Sequence, residues 1–280
     1  MSRRTIFLSS GLSLFIIAFG LTSLWSPIND QPIPFPRPIE GIDSVFLEEL
    51  TWMEVRDAIA SGTDSIIVPT GGVEQNGPYL ALGKHNYILE LTTESIARAL
   101  GRTLVAPIVK FVPEGNINPP DGHMQFPGTI SVRDSTFESL LTDICESLHT
   151  HGFKRIYLIG DSGGNQQGMK QVAGSLKHRG VQFVPEYYDY DFITQWLTER
   201  GYTQISEGIH DDLAFSAQVI TRNPELARAA QRRKVGKFSV NAIPLDPIEK
   251  TIELGREIIK VRTDRTVEAI RKLQSTAQEP

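Results

Sequence analysis

Short apolar runs alternate along the chain with longer amphipathic stretches, and each apolar run is followed by glycine-rich polar residues. One apolar run spans 65–69 (SIIVP), and another spans 156–159 (IYLI) and leads into the turn-like residues 160–165 (GDSGGN). Between them, apolar residues recur at helical spacing over 87–100 and 137–148. Short buried strands separated by amphipathic helices are typical of an α/β sheet with helices on its faces, so we predict that class.

Local signals predict the remaining elements. Capping boxes at 51–54 (TWME) and 135–138 (STFE) indicate the starts of two helices. The run at 104–109 reads as a strand, and its proline indicates an edge strand or a bulge. A further strand is predicted at 181–184, and a final helix over about 246–273.

The first residues indicate a targeting segment. Arg3 and Arg4 precede a stretch without charge up to Asn29. Residues 1–26 are therefore predicted to be either a signal peptide or an uncleaved membrane anchor, because about 20 apolar residues suffice to span a bilayer. The arginine pair also resembles a twin-arginine export signal.

A proline-rich linker separates this segment from the folded part. Residues 27–40 contain five prolines, at 27, 32, 34, 36 and 38, and should be extended. We expect the globular domain to span 41–280 and to be exported to the periplasmic or extracellular face, either released or anchored through residues 5–26.

Composition excludes several classes of function. Lys and Arg number 28 against 33 Asp and Glu, and without a dense basic run a nucleic-acid partner is not expected. Cys145 is the one cysteine in the chain, so an intramolecular disulfide and a cysteine-rich metal site are both ruled out.

Polar residues that follow the predicted strands are the candidates for a site. The segments 70–86 and 160–166 follow strands, and 119–130 is a glycine- and proline-rich stretch that holds His123. Since the carboxyl ends of parallel strands meet at one edge of the sheet, we expect these segments to converge there.

Three of these segments carry a family resemblance. Residues 72–85 (GVEQNGPYLALGKH) are similar to the motif G-x-x-E-Q-H-G-P-H-L-P-L-x-T-D of the creatininase family. Residues 122–131 (GHMQFPGTIS) resemble the family's E-H-x-x-F-P-G-T-I-S, and 160–165 stand where the family has N-G-H-G-G-N. Gly208 to His210 and Asp246 to Arg256 follow in the expected order, so the resemblance covers most of 45–265.

The resemblance implies a three-layer, Rossmann-like α/β fold with helices on both faces of the sheet. It also implies a metal-dependent amidohydrolase that opens small cyclic or linear amides, commonly assembled as a hexamer. Two divalent ions bridged by a carboxylate would activate water and polarise the amide carbonyl. We therefore expect a small-molecule amide substrate and a homo-oligomer.

Several ligand positions of the family are changed in this chain. Glu74 matches the family's first glutamate ligand, but the next histidine ligand is Asn76 and the bridging aspartate is His85. The histidine of the third motif is Ser162, and a downstream acid is replaced by Phe215.

Two hypotheses follow from these changes. In the first, Glu74, His85 and Asp161 hold a divalent ion, Zn²⁺, Mn²⁺ or Fe²⁺, in a rebuilt site of one or two ions. His123 or His210 would then move the proton to the leaving nitrogen. His123, His210, Asp211 and Asp212 are further candidate ligands. The residues left to contact the substrate are Asn76, Ser162, Gly163, Gly164 and Asn165. In the second, the metal is lost and the fold is a non-catalytic binding or scaffold module, which Phe215 favours.

Structural roles remain open for the same residues. Asp161 could bond the amides of Gly163 and Gly164 in a turn. His85 could lie in the loop before a helix that starts near Tyr87, and His210 could belong to a solvated helix start.

Overall fold

The computed structural model describes residues 35–276. The predicted targeting segment, 1–26, and the linker as far as residue 34 lie outside the described residues. Within the described part of the chain, no helix is long and apolar enough to cross a membrane. Residues from Ile39 onward form one compact unit.

Four parallel strands form the central sheet, in the order β2-β1-β3-β4. The strands are β1 (Ser65–Thr70), β2 (Thr103–Val105), β3 (Arg155–Gly160) and β4 (Val181–Phe183). β1 and β3 are the buried pair in the middle, with Ser65 beside Arg155 and Thr70 beside Gly160. Their carboxyl ends therefore finish level with each other, which prepares the edge where ligands bind in such sheets.

Helices cover both faces of this sheet. They are α1 (Trp52–Ala60), α2 (Lys84–Leu100), α3 (Asp134–Thr150), α4 (Asn165–Ser175), α5 (Tyr190–Thr198), α6 (Leu213–Arg222), α7 (Ala229–Lys234) and α8 (Ile248–Thr276). Alternate strand residues face opposite layers: Ile66 packs with α3 and α4, whereas Ile67 packs with α2 and α8. The α/β class and the three-layer arrangement are thus confirmed.

A second apolar cluster lies beside the sheet. It joins α5, α6 and α7 to α8 and to a short hairpin of β5 (Ser239–Val240) and β6 (Ile243–Pro244). This cluster places the residues before α6 next to the carboxyl edge of the sheet.

Most local predictions are confirmed. The capping box at Thr51 and Glu54 is present, and β2 is an edge strand that ends two residues before Pro107. The capping box predicted at Ser135 is wrong, because α3 begins two residues earlier, with Arg133 as its N-cap residue, and has no side-chain cap. α2 begins at Lys84, directly after Gly83, so His85 lies in its first turn.

Close approach of α6 and α8 depends on a glycine. A Cβ at Gly255 would lie 2.3 Å from the carbonyl oxygen of Ala217, whereas a Cβ at Gly174 on α4 would meet nothing within 4 Å. We expect Gly255→Ala to lower the free energy of unfolding by about 1–3 kcal/mol through overpacking. The matched Gly174→Ala should raise it by about 0.5–1 kcal/mol, because alanine loses less backbone entropy in a helix. Urea denaturation of both variants measures these changes. If Gly255→Ala changed the free energy of unfolding as Gly174→Ala does, α6 and α8 would be able to move apart without cost.

Candidate active site

Loops from four parts of the chain meet at the carboxyl edge of the sheet. The amide of Asp161 donates to the carbonyl of Thr70 at 3.1 Å, so the loops after β1 and β3 begin side by side. Together with the loop at 113–123 and the turn before α6, they line a cavity of about 400 Å³. Its titratable lining residues include Glu74, His85, Glu114, His123, Asp161, Tyr188, Tyr190, His210 and Asp212.

Glu74 is the centre of this site. Its Oε1 lies 2.7 Å from Nε2 of His85 and 3.0 Å from Nε2 of His210, and its Oε2 lies 3.2 Å from Nε2 of His123. Nζ of the buried Lys84 is 3.6 Å from Oε1. Burial alone would raise the pKa of Glu74, but hydrogen bonds from His210 and His85 outweigh it and hold the pKa below its ordinary value. The carboxylate is therefore ionised at neutral pH.

His85 lies between two carboxylates. Its Nδ1 is 2.8 Å from Oδ2 of Asp161, while its Nε2 contacts Glu74. Both ring nitrogens of His85 are therefore engaged with carboxylate oxygens of the protein. Phe215, where the family resemblance implies an acid, packs against this ring edge to face, with centroids 5.5 Å apart.

The described residues contain one cluster of metal-ligand type, formed by Glu74, His123 and His210. One ligand atom from each lies within 4.8 Å of the others. The two histidine contacts to Glu74, 3.2 and 3.0 Å, are close to the roughly 3.4 Å that separates neighbouring ligands of a tetrahedral zinc ion. Burial lowers the pKa of His123, which favours the neutral imidazole that binds metal. The residues present therefore fit a single ion.

A second ion of the family type does not fit. The amide nitrogen of Asn76 donates to the backbone carbonyls of Glu74 and Ala81, which holds this side chain in a structural role. At the position where the family resemblance implies a bridging carboxylate, both ring nitrogens of His85 contact carboxylates, at 2.7 and 2.8 Å, so neither is free of a protein partner. The prediction that Glu74, His85 and Asp161 share one ion stays a prediction, and the geometry offers a different set of ligand atoms.

Glu114 was missed by the sequence reasoning. It is buried in the cavity wall and hydrogen-bonds to Glu74, and its Oε1 has no hydrogen-bond partner. Burial and the negative charge of Glu74 raise the pKa of Glu114 to about 10, so it carries a proton at neutral pH. The sequence feature that could have indicated Glu114 is an acidic residue between Pro113 and Gly115, in a loop and outside any helix or strand.

The predicted substrate contacts divide into two groups. Ser162, Gly163 and Gly164 line the cavity at the start of α4. Asn165 does not line it, because its amide donates to the Thr70 hydroxyl and to the Gly71 carbonyl. Asn76 is likewise turned toward the backbone. The roles assigned to all five residues stay predictions.

Comparison with known protein families gives a match over most of the chain. A family profile described as creatinine amidohydrolase matches residues 48–270. The chain belongs to the creatininase family. The family match confirms the resemblance carried by the three motifs. The fold of the chain is similar to that of a solved structure described as a manganese form of creatininase. The TM-score is 0.60, and the sequences are 22% identical over 82% of this chain and 98% of that one.

Curated relatives of this creatininase-family chain differ in what they act on. The creatinine amidohydrolase of Pseudomonas putida is 27% identical over 155 residues, which are 52% of this chain and 59% of that protein. The mycofactocin precursor peptide peptidase of Mycolicibacterium smegmatis is 26% identical over 223 residues, 75% of this chain and 85% of that protein. The match thus spans less than two thirds of the first relative and most of the second.

Proposed function

We propose that this chain is a hydrolase that cleaves an amide bond of a small molecule with one divalent ion held by Glu74, His123 and His210. The observation that carries this proposal is the contact of both histidine Nε2 atoms with the two oxygens of one buried carboxylate. Two histidines and one glutamate, with a position left open, are a ligand set of catalytic zinc sites.

Each residue has a separate task in this proposal. The bound ion would supply an activated water and polarise the amide carbonyl. Lys84 offsets part of the negative charge of Glu74 from 3.6 Å, and His85 holds the same oxygen, Oε1, in place. Glu114 lines the cavity beside Glu74 and carries a proton, which it would supply to the leaving nitrogen.

The substrate class follows from the cavity and from the relatives. A space of about 400 Å³ holds a small molecule or a few residues of a peptide end, and Tyr188, Tyr190 and Phe215 give it an aromatic wall. A creatinine amidohydrolase and a peptide peptidase both break C–N amide bonds, which supports an amide as the target here.

Assembly and location extend the proposal. We propose a homo-oligomer, which the family resemblance supports, and action outside the cytoplasm, which the arginine pair and apolar stretch at residues 3–29 support. Gel filtration and cell fractionation test these two statements.

Histidine variants test the ligand set. We expect His123→Ala and His210→Ala each to lose most bound Zn²⁺ or Mn²⁺ and most hydrolysis, because a ligand atom is removed from the ion. The control is His178→Ala, an exposed histidine near the end of α4 and away from the cavity. Metal content by elemental mass spectrometry and turnover of a panel of cyclic and linear amides are measured together.

The outcomes separate the hypotheses. Full metal content in both variants, with loss on replacing His85, would favour the set Glu74, His85 and Asp161. Absence of metal in the parent protein, even after addition of Zn²⁺ or Mn²⁺, would favour the binding or scaffold module instead.

A further inference from the structure

Asp161 is a buried carboxylate that receives hydrogen bonds from three helices. Its Oδ1 accepts from Nη2 of Arg262 on α8 at 2.5 Å and from the hydroxyl of Tyr190 on α5 at 2.8 Å. Its Oδ2 accepts from His85 on α2 at 2.8 Å. Burial alone would raise the pKa of Asp161, but the charge of Arg262 and the hydrogen bond from His85 outweigh it, so this pKa is lowered.

The contacts continue from Asp161 to the centre of the site. His85 bridges Asp161 and Oε1 of Glu74. A continuous series of side-chain contacts therefore runs from Arg262 to the Glu74 carboxylate, which both His123 and His210 contact. Every link is buried: the side chains of Arg262, Asp161, His85 and Glu74 are 2, 0, 3 and 2% exposed. Hydrogen bonds in such a water-poor interior are strong and directional.

Arg262 is itself fixed in position. Its Nη1 donates to Oε1 of Gln218 on α6 at 3.1 Å, and its Nη2 donates to the carbonyl of Tyr187 at 3.1 Å. Its guanidinium also lies over the rings of Tyr187 and Tyr190. The start of the chain is therefore anchored by three different elements of the fold.

We propose that Arg262, Asp161 and His85 form a positioning relay, which orients the Glu74 carboxylate for the divalent ion. The relay rests on the proposed function, since it acts through the ligand set of Glu74, His123 and His210. Its last member, His85, contacts Oε1 of Glu74 at 2.7 Å and so restricts the rotation of the carboxylate. Partners that orient a metal ligand in this way commonly change metal affinity by about 10- to 100-fold when they are removed.

The geometry separates this relay from ordinary structural pairing. Arg262 does not line the cavity, yet it is connected to Glu74 through two intermediates that both do. An ion pair that only joined α8 to β3 would be complete with Asp161 and would need no contact from Asp161 to His85. The second oxygen of Asp161, Oδ2, instead contacts His85, and His85 in turn contacts Glu74.

Co²⁺ binding to the full-length chain tests the relay, because visible absorption of Co²⁺ depends on the number and arrangement of its ligands. We expect Asp161→Asn to weaken Co²⁺ binding by about 10- to 100-fold and to shift its absorption. Tyr190→Phe, which removes one hydrogen bond to Asp161, should weaken binding less. The matched control is Tyr157→Phe, a buried tyrosine in the core whose hydroxyl contacts Gln274 and not the site.

Thermal unfolding of the metal-free variants separates positioning from stability. A purely structural role would lower the melting temperature and leave Co²⁺ affinity and absorption unchanged in Asp161→Asn and Tyr190→Phe, which would overturn the relay while the parent still binds metal. If Asp161→Asn fails to fold, Tyr190→Phe decides alone by comparison with Tyr157→Phe. If the parent binds no Co²⁺, the proposed function is wrong and the relay falls with it.

Discussion

Glu74→Gln is expected to abolish metal binding and hydrolysis in a protein that still folds. Both histidine ligands contact the Glu74 carboxylate, and a neutral amide offers one weak oxygen in place of two charged ones. Removal of a residue that only orients a metal ligand typically lowers metal affinity by about 10- to 100-fold. Glu74→Gln should lower it further, because it replaces a ligand of the ion itself. Elemental mass spectrometry should find about one equivalent of metal in the parent and almost none in the variant.

A second glutamine variant controls for the loss of one negative charge. Glu90→Gln on α2 breaks an exposed pair with Arg222, in which the two charges are 3.0 Å apart, and should leave metal content unchanged. Circular dichroism of both variants establishes that each is folded. Full metal content in Glu74→Gln would place the ion elsewhere and would remove the basis of both ligand sets considered for this chain.

Arg262→Met is expected to give the largest loss of stability among single substitutions in this region. Arg262 neutralises Asp161, which has no contact with solvent, and removal of one partner of a buried ion pair commonly costs about 3–5 kcal/mol. Because the folded-state pKa of Asp161 lies below its ordinary value of 3.8, this stabilisation is present at neutral pH and is lost as the pH falls below that value. Denaturation at pH 7 therefore measures the full effect.

An exposed pair on the same helix provides the control. Lys260 and Asp264 are 2.6 Å apart, and both side chains are more than half exposed. Lys260→Met removes the same charge from α8 and should change the free energy of unfolding far less, since water solvates the remaining Asp264. The double variant Arg262→Met with Asp161→Asn should recover part of the loss, because no uncompensated charge remains. Equal effects of Arg262→Met and Lys260→Met would contradict the buried-pair interpretation.

The sheet could be predicted because its signal is local. Apolar runs at 65–69 and 156–159 alternate with helical periodicity, and each run ends one residue before the end of β1 or β3. The positions of these strands imply that the segments after them share one edge. Glu74 was found in the same way, since it follows β1 within a recognisable family motif.

Local patterns failed where neighbouring elements decide the outcome. The capping box predicted at Ser135 was wrong because α3 starts at Asp134, within the same short stretch of polar residues. One alternative for His85 was a loop position before a helix that starts near Tyr87. α2 instead starts at Lys84, which places the His85 ring inside the helix, in contact with Asp161. One turn of helix thus changes which partner a side chain can reach.

The sequence by itself determined the fold class, the family and the central carboxylate, because strand and helix periodicity and a motif are properties of consecutive residues. Only the tertiary structure brought His123 and His210 to the same carboxylate, although 87 positions separate them in the chain. Only the tertiary structure revealed Arg262, which in sequence looks like one more charge on a polar helix. The physical reason is that a charge can be buried only beside its partner, and that partner, Asp161, lies 101 residues away.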